Sequence, residues 1–342
     1  MQIANLNINL PQKKEEEFLK IDFTSLFDFD FKEHKTLDFA LDLESIKDDE
    51  VYDSKLFSIA NSFDNSKRVL TISENLEKPL IIVNKLKNSE TLYTNNLLIN
   101  VKEGVKASVI EVFTSSLKNS TILANRTIEV EKNSSLEYVK IQDISISNSL
   151  IFSCKAKQDD KSNLEISNFE FGDGFCVNSF ENIINAQNVN YEVNALVKLF
   201  DDSTTSNLIK TIHNEKSSIS NINYKHSLKD SSKAVFKAKS IVNEAALYSK
   251  AFQHCNTILL SDDATIIAQP HLEIYIDELE ASHGTTTGTL NKEQLLYLQS
   301  RGISKEESYE MLLSAFENKI VDNIKDELIK EFIKNYKRDK YV

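Results

Sequence analysis

The 342-residue chain is 41% hydrophobic, enough to bury the core of one large domain or two ordinary ones, and this excludes disorder as its overall state. Its 52 acidic and 40 basic residues give a net charge of −12, which disfavours binding to nucleic acid or to an anionic membrane. The N-terminus lacks a signal-peptide pattern, and no apolar run approaches the ~20 residues of a membrane span. Three widely spaced cysteines encode neither a disulfide framework nor a self-contained metal site, so we expect a cytoplasmic protein.

The first fifty residues are charged and rich in phenylalanine, and Glu15–Ile21 could form a short helix before a turn near Asp22–Ser25. Only six glycines occur, and the sequence has no G-x-x-x-x-G-K-[ST] loop to cradle nucleotide phosphates. The Gly172-Asp173-Gly174 segment lacks the third glycine of a dinucleotide fingerprint and predicts a plain turn. We therefore expect that this chain binds no nucleotide.

From about Leu56 to Ala268 the sequence is a succession of short alternating apolar and polar runs, typical of consecutive strands. Similar triplets recur at steps of 28, 27, 31, 25 and 25 residues; they start at Leu136, Leu164, Tyr191, Ile222, Leu247 and Leu272. Steps of this size without intervening helices predict stacked coils of a β-solenoid. An antiparallel β-sandwich is the alternative. Asn and Ser are abundant between the runs, and Asn tolerates the left-handed backbone conformation where glycine is missing.

After Leu290 the pattern becomes helical. Asn291 can cap a helix that ends at Arg301-Gly302, and Ser304 with Glu307 forms a second capping pattern. A long, otherwise charged helix then carries an apolar stripe at four-residue spacing, formed by Leu312, Phe316, Ile320, Ile324, Leu328 and Phe332. The stripe needs a partner surface, either the solenoid of this chain or another subunit.

Few residues indicate a catalytic or metal-binding site. The six histidines form no H-x-x-x-H or H-E-x-x-H pattern, and adjacent strand residues such as His254 and Cys255 point to opposite faces. His283 differs because Glu280–Gly288 holds two of the six glycines, which indicates a demanding backbone shape; the histidine there is either structural or functional. No G-x-S-x-G elbow or persuasive carboxylate pair is present.

Three blocks near the C-terminus, in this order and at this spacing, resemble the signature of the SufB/SufD family, and of its SufD branch most. They are Gln269–Asp277 (QPHLEIYID), Ala281–Gly288 (ASHGTTTG) and Leu295–Ile303 (LLYLQSRGI). The resemblance is strong over 231–316 and weaker before it, and the chain is shorter than typical members in its N-terminal part.

This resemblance implies a mainly β fold: a right-handed parallel β-helix core over 56–290, a small N-terminal region over 1–55 and an α-helical region over 291–342. It implies a non-catalytic SufD-like scaffold subunit that works with a SufB-like subunit and the ATPase SufC in iron-sulfur cluster assembly and iron delivery. ATP hydrolysis would belong to SufC, and the C-terminal helices would dock that subunit.

The resemblance also assigns residues. The expected SufC contact comprises Arg301, Gly302, Ile303, Met311, Leu312, Ala315 and Phe316. The family's interface histidine corresponds to His283, which would hold iron or a transient iron-sulfur cluster together with a cysteine and a carboxylate of SufB; imidazole is a suitable ligand for both. Ala281 stands where SufD proteins often have cysteine, so this subunit would offer no thiolate there. We expect Cys154 and Cys255 to be small buried hydrophobes.

Two further functions remain open at the level of sequence. One is a SufB-like or homodimeric scaffold that assembles a cluster without a different partner. The other, more remote, is a β-helix carbohydrate-active enzyme or adhesin, which shares only the fold class.

Overall fold

A computed structural model describes residues 1–48, 50, 53–115 and 117–341, with side chains to Tyr336. The N-terminal part contains a short 3-10 helix (Ile3–Asn5), α1 (Thr24–Phe27), β1 (Glu33–Thr36), β2 (Glu44–Lys47) and α2 (Lys55–Phe63). The helix expected over Glu15–Ile21 is wrong: that segment is a series of turns. Its Phe18 and Ile21 are nevertheless buried, so apolar burial rather than helix formation holds it in place.

The rest of the chain up to residue 288 is a parallel β-solenoid. Its strands are β3 (Ser66–Ile72), β4 (Leu80–Lys85), β5 (Thr91–Val101), β6 (Lys106–Ser115), β7 (Thr121–Val130), β8 (Ser135–Ile144), β9 (Ser149–Gln158), β10 (Asn163–Glu170), β11 (Phe175–Ile184), β12 (Asn190–Leu199), β13 (Thr204–His213), β14 (Ile219–Leu228), β15 (Lys233–Val242), β16 (Lys250–Leu259), β17 (Thr265–Ile274) and β18 (Glu280–Gly288).

Successive strands alternate between two sheets, so each coil contributes one strand to each. The ten-stranded sheet has the order β17-β15-β13-β11-β9-β7-β5-β3-β2, with β1 also paired to β5, and the eight-stranded sheet has the order β18-β16-β14-β12-β10-β8-β6-β4. All of these pairs are parallel except β2 with β3, which is antiparallel. The predicted solenoid is confirmed, and the antiparallel sandwich is excluded.

Half of the predicted repeat is correct. Leu136, Leu164 and Tyr191 lie side by side on β8, β10 and β12. Tyr191, however, pairs with Ser220 rather than with Ile222, and Leu272 belongs to the other sheet. The step is not constant, because Ser149 pairs with Phe175 and Lys233 with Thr265, offsets of 26 and 32 residues.

Non-glycine residues in the left-handed conformation turn the chain at the corners. Asn133, Lys161, Asn188, Ser217 and Tyr248 have φ between 57° and 62° and stand at equivalent corners of successive coils. Each donates its backbone N–H to a carbonyl of the following coil, at 2.7 to 3.4 Å. These backbone hydrogen bonds between corners of successive coils compensate for the energetic cost of a positive φ in a non-glycine residue. The corners therefore need few glycines.

Gly172 and Gly174 form the predicted turn, between β10 and β11. Glycine is required at both positions because there is no room for a side chain. A Cβ on Gly174 would lie 2.6 Å from the carbonyl oxygen of Asn148, and a Cβ on Gly172 would lie 2.5 Å from the amide nitrogen of Ile144. The turn therefore packs directly on the corner of the preceding coil.

Three helices follow the solenoid: α3 (Lys292–Ser300), α4 (Lys305–Val321) and α5 (Glu327–Tyr341). Both predicted caps are confirmed. The Asn291 side chain accepts from the backbone amides of Glu293 and Gln294, and Ser304 and Glu307 form a reciprocal capping box. The prediction of one long striped helix is wrong, because the helix is interrupted between the end of α4 at Val321 and the start of α5 at Glu327.

The outer faces of both sheets are covered over their middle strands. On the ten-stranded sheet, N-terminal phenylalanines pack on outward-facing residues of β5 to β15, among them Leu92 and Val235. On the eight-stranded sheet, Ile320, Ile324 and further residues of α4 and α5 pack on residues of β6 to β12. The middle of the apolar stripe therefore covers this chain's own solenoid, while Leu328 is exposed. No described helix is long and apolar enough to cross a membrane.

Candidate functional site

The two ends of the solenoid differ. At the N-terminal end Leu37, Phe39, Leu41 and Leu43 pack against the interior core. At the C-terminal end β17 and β18 are the last strands of their sheets, and each pairs on one side only within the described part of the chain. The C-terminal end thus presents two unpaired strand edges and an uncovered interior, a surface that invites pairing with another chain.

Interior-facing side chains of the last coil are partly exposed. Ala268 pairs in register with the fully buried Phe236, yet it is only half-buried, and Ile266 beside it is half-buried as well. Ile274 and Tyr275, where β17 ends, are 43% and 58% exposed. Since these residues continue the core without a coil above them, the open end is an apolar surface.

His283 lies on this open end. It pairs in register with Gln253 of β16, whose side chain is buried, so strand alternation places His283 on the interior-facing row of the last coil. Its side chain is exposed because no coil follows. Ala281 is on the same row, opposite Ala251. His283 therefore lies at the surface where the expected interface role would place it, and that role remains a prediction.

No group of three or more His, Cys, Asp or Glu side chains in the described ranges is arranged to hold a metal ion. His283 is therefore a single donor that would need ligands from elsewhere to bind iron cargo. The three cysteines are free and buried, and burial raises the pKa of each thiol to about 12. Cys154 and Cys255 are thus buried, as predicted, and unreactive as they stand.

The helical region forms a second exposed surface. None of the residues of α3 is buried, and the helix packs on α4. Leu296 and Tyr297 of α3 are 65% and 58% exposed, and Met311 of α4 is 51% exposed. Helices that bury little of their apolar surface are typical of docking elements.

Four of the predicted contact residues, Arg301, Gly302, Met311 and Ala315, are exposed; Ile303, Leu312 and Phe316 are half-buried. The Arg301 guanidinium lies 5.3 Å from the Tyr297 ring centre, and Gly302 has φ +87°, as its position after the helix requires. Phe316 instead faces this chain: the Lys225 ammonium lies 4.3 Å from its ring centre and donates to its carbonyl oxygen at 2.6 Å. Leu296 and Tyr297, also exposed on α3, were not among the predicted contact residues.

Ion pairs fix α4 and α5 to the solenoid. The Lys198 ammonium on β12 lies 3.4 Å from the buried Glu317 carboxylate of α4. At the α4–α5 turn, the buried Glu137 carboxylate accepts from the backbone amides of Lys325 and Asp326 at 3.1 and 3.2 Å. Lys325 pairs with Glu165 at 2.6 Å. Any partner bound to these helices would therefore be coupled rigidly to the solenoid.

A polar network inside the solenoid was not predicted from the sequence. Arg126 and Glu111 are fully buried and joined by two hydrogen bonds, at 2.9 and 2.5 Å; Tyr138 also donates to this carboxylate, and Asn84 does so at 2.6 Å. Burial acts to raise the pKa of Glu111, but the Arg126 charge and these donors outweigh it and hold the pKa below its usual value. The two partners are 15 residues apart, on the consecutive strands β6 and β7 of opposite sheets.

These features define a class of protein: a β-solenoid scaffold with one closed end, one open end and helices fixed to its side. The family model described as "SUF system FeS cluster assembly, SufBD core domain" matches residues 83–316. This chain belongs to that family.

Individual relatives agree. The chain is 26% identical over 235 residues to the iron-sulfur cluster assembly protein SufD of Escherichia coli. The aligned segment covers 68% of this chain and 55% of that protein. It is 24% identical over 243 residues to the chloroplastic protein ABCI7 of Arabidopsis thaliana, covering 70% and 51%. It is 30% identical over 155 residues to SufD of Plasmodium falciparum, covering 42% and 11%. The chain spans about half the length of the E. coli and Arabidopsis relatives.

Proposed function

We propose that this chain is a SufD-like, non-catalytic scaffold subunit that assembles with a SufB-like subunit and the ATPase SufC in iron-sulfur cluster assembly. The observation that carries the proposal is the family match over the solenoid together with an open, apolar solenoid end. The division into an N-terminal region over 1–55, a β-helix core over 56–290 and a helical region over 291–342 is part of the proposal, as is a cytoplasmic location.

The SufB-like partner would bind at the open end. Its own terminal strands would extend both sheets past β17 and β18 and would cover the half-buried Ile266 and Ala268. Main-chain pairing along two edges supplies affinity, and the interior-facing row supplies specificity. His283 would then be enclosed at the junction and available as one ligand of iron or a transient cluster, with the other ligands from the partner.

SufC would bind the helical surface. Arg301, Gly302, Ile303, Met311, Leu312, Ala315 and Phe316 are the proposed contact residues. We add Leu296 and Tyr297, since exposed aromatic and long apolar side chains dominate the binding energy of interfaces. ATP binding and hydrolysis would reside in SufC, and motion of SufC would reach the solenoid through the Lys198–Glu317 pair.

The test is isolation of the tagged full-length chain from its native cytosol, followed by mass measurement of the complex and identification of its subunits. Recovery with a SufB-like and a SufC-like protein is the expected result. A monomer or homodimer without them would contradict the assembly and would favour the self-pairing scaffold, for which iron and sulfide analysis of the isolated protein is the readout.

Matched variants separate the two surfaces. Met311→Asp should abolish recovery of SufC and spare SufB, whereas Leu328→Asp, at an equally exposed leucine on α5, should spare both. His283→Ala should reduce cluster assembly by the complex without dissociating it, while His271→Ala, at an exposed histidine of β17, should have no effect. Full cluster assembly with His283→Ala would leave that residue a structural role only.

A further inference from the structure

A cavity lies between the N-terminal segment and the side of the solenoid on which the chain passes from the eight-stranded to the ten-stranded sheet. Its volume is about 330 Å³. Ser25, Leu26, Phe29 and Phe31 line it from the N-terminal segment, and the corners that precede β7, β9, β11 and β13 line it from the solenoid. Pockets that bind small molecules usually measure about 300–1,000 Å³, so this cavity has room for a small ligand.

Much of the lining is apolar. Phe29 and Phe31 contact each other on the N-terminal side, with their ring centres 4.8 Å apart. Phe175, on the solenoid side, is held edge-to-face by Phe23 at 6.2 Å. Ile146 belongs to the same lining and is 58% exposed. An exposed aliphatic side chain beside three aromatic rings favours an occupant with an apolar body.

Two carboxylates share this cavity. Asp173, which is half-buried, and Asp202, which is exposed, line it from neighbouring corners. Within the described ranges neither carboxylate forms an ion pair. Burial and the charge of the nearby Asp201 raise the pKa of Asp173. A partly desolvated carboxylate next to a second negative charge, with no cation opposite, favours a positively charged occupant.

The Gly-Asp-Gly turn between β10 and β11 fixes the position of Asp173. The backbone amides of Asp173 and Gly174 both donate to the carbonyl oxygen of Ile144, at 3.0 and 3.2 Å. The adjacent corner is fixed by the buried Asn148, whose side-chain oxygen accepts from the Ser120 amide at 3.0 Å. The carboxylate is therefore preorganised, which lowers the cost of binding.

The charge along this side of the solenoid has the same sign. The corners that precede β11, β13, β15 and β17 carry one, two, one and two aspartates, against a single lysine, Lys229. This local excess adds to the net charge of −12. The resulting field attracts cations to the cavity and repels anions of the same shape.

We propose that this cavity binds a small organic cation with an apolar, preferably aromatic, body. The ammonium or guanidinium group pairs with Asp173 and Asp202, and the body packs against the three phenylalanine rings. A cation near aromatic faces gains a further attraction from the rings. The lining residues belong neither to the open end nor to the proposed SufC contact, so the site is independent of the proposed assembly.

Ligand-observed fluorine NMR on the full-length protein tests the proposal with three probes of similar shape. They are 4-fluorophenethylammonium, the neutral 2-(4-fluorophenyl)ethanol and the anionic 4-fluorophenylacetate. The ammonium should bind saturably with a Kd in the millimolar range or below, as about ten non-hydrogen atoms allow, and at least about tenfold more tightly than the alcohol. The anion should not bind. Equal affinities of ammonium and alcohol, or no binding of any probe up to about 10 mM, would overturn the proposal.

Variants separate the two parts of the site. Asp173→Asn should weaken binding of the ammonium at least about fivefold and leave binding of the alcohol unchanged. Asp230→Asn is the matched control, because Asp230 lies on the same side of the solenoid outside the cavity lining. Phe29→Ala should weaken both probes. Equal weakening by the two aspartate variants, or unchanged binding in Phe29→Ala, would overturn the site.

Isoleucine-methyl NMR of the wild type provides a readout that requires no variant to bind. Addition of the ammonium probe should shift the Ile146 methyl resonance, which is assigned by its loss in Ile146→Val. Saturable binding without a shift of this resonance would place the probe elsewhere and refute the site. All of these measurements use the isolated chain, so their failure is distinguishable from a failure to recover SufB-like and SufC-like proteins.

Discussion

Arg126 and Glu111 form an ion pair buried among interior side chains, where an unpaired charge cannot be solvated. Arg126→Met leaves the Glu111 carboxylate without its counter-charge and should lower the free energy of unfolding by about 3–5 kcal/mol. The double variant Arg126→Met/Glu111→Leu should recover much of that loss, because it removes both charges. Urea denaturation of the two proteins and the wild type measures the difference. A double variant as unstable as the single one would show that hydrogen-bond geometry, not charge pairing, dominates.

Lys225 gives a second prediction at this scale. Burial under α4, with the nearby Lys319, lowers the pKa of Lys225 to about 8. Below about pH 8 the folded protein must carry a charged, poorly solvated ammonium. Between pH 8 and the unfolded value of about 10.5 the unfolded chain binds more protons, so the Lys225 contribution to stability rises with pH.

The difference in stability between the wild type and Lys225→Met isolates this contribution from other groups that titrate above pH 8. It should shift in favour of the wild type as pH rises from 7.5 to 9.5, values on the two sides of the Lys225 pKa of about 8. A pH-independent difference would mean that the Lys225 ammonium is solvated in the folded state.

Among the secondary-structure elements, the α4–α5 turn depends on a ladder of glutamates. Glu137, Glu165 and Glu192 pair side by side on β8, β10 and β12. Burial raises the pKa of Glu137 and Glu165, and the lysine and backbone amides of the turn oppose this effect. The turn therefore neutralises charges that the sheet would otherwise hold next to each other.

Glu137→Ala should free the amides of Lys325 and Asp326 and destabilise the turn by about 1–3 kcal/mol. Hydrogen exchange across the beginning of α5 should accelerate accordingly. Glu192→Ala is the control, because Glu192 accepts from Asn190 rather than from the turn. Equal acceleration in both variants would mean that the ladder, and not the two specific hydrogen bonds, holds α5.

For the molecule as a whole, the open end predicts self-association when the proposed partner is absent. Two unpaired edges beside apolar side chains favour end-to-end pairing of two copies. Ile266→Lys places a charge on the interior-facing row and should reduce dimerisation, measured by sedimentation, at least about tenfold. Lysine at the exposed Ile81, on the outer face of β4, should have no such effect. Dimers that persist with Ile266→Lys would place the contact elsewhere.

Sequence reasoning predicted the solenoid and the two helix caps because both depend on local rules: short alternating strands, corner residues and capping side chains. It failed where coil length matters. Ile222, Leu247 and Leu272 were misaligned because the step varies between coils, and an irregular step cannot be read from one pattern. The break after Val321 was missed although Asp326, whose side chain accepts from the backbone amides of Leu328 and Ile329, is a local signal for the start of a new helix.

Neither the N-terminal segment nor the C-terminal helices extend fully over the last coil. The N-terminal segment packs on the sheet face as far as β15, with Ile267 of β17 at its margin, and the helices pack on β6 to β14. In a stack where each coil contacts only its neighbours, such lateral braces couple many coils into one cooperative unit. The terminal coil has one neighbour and little bracing, so it should be the first to fray. Association at this end would then be coupled to local folding, and a bound partner would act as the missing next coil that completes the cooperative unit.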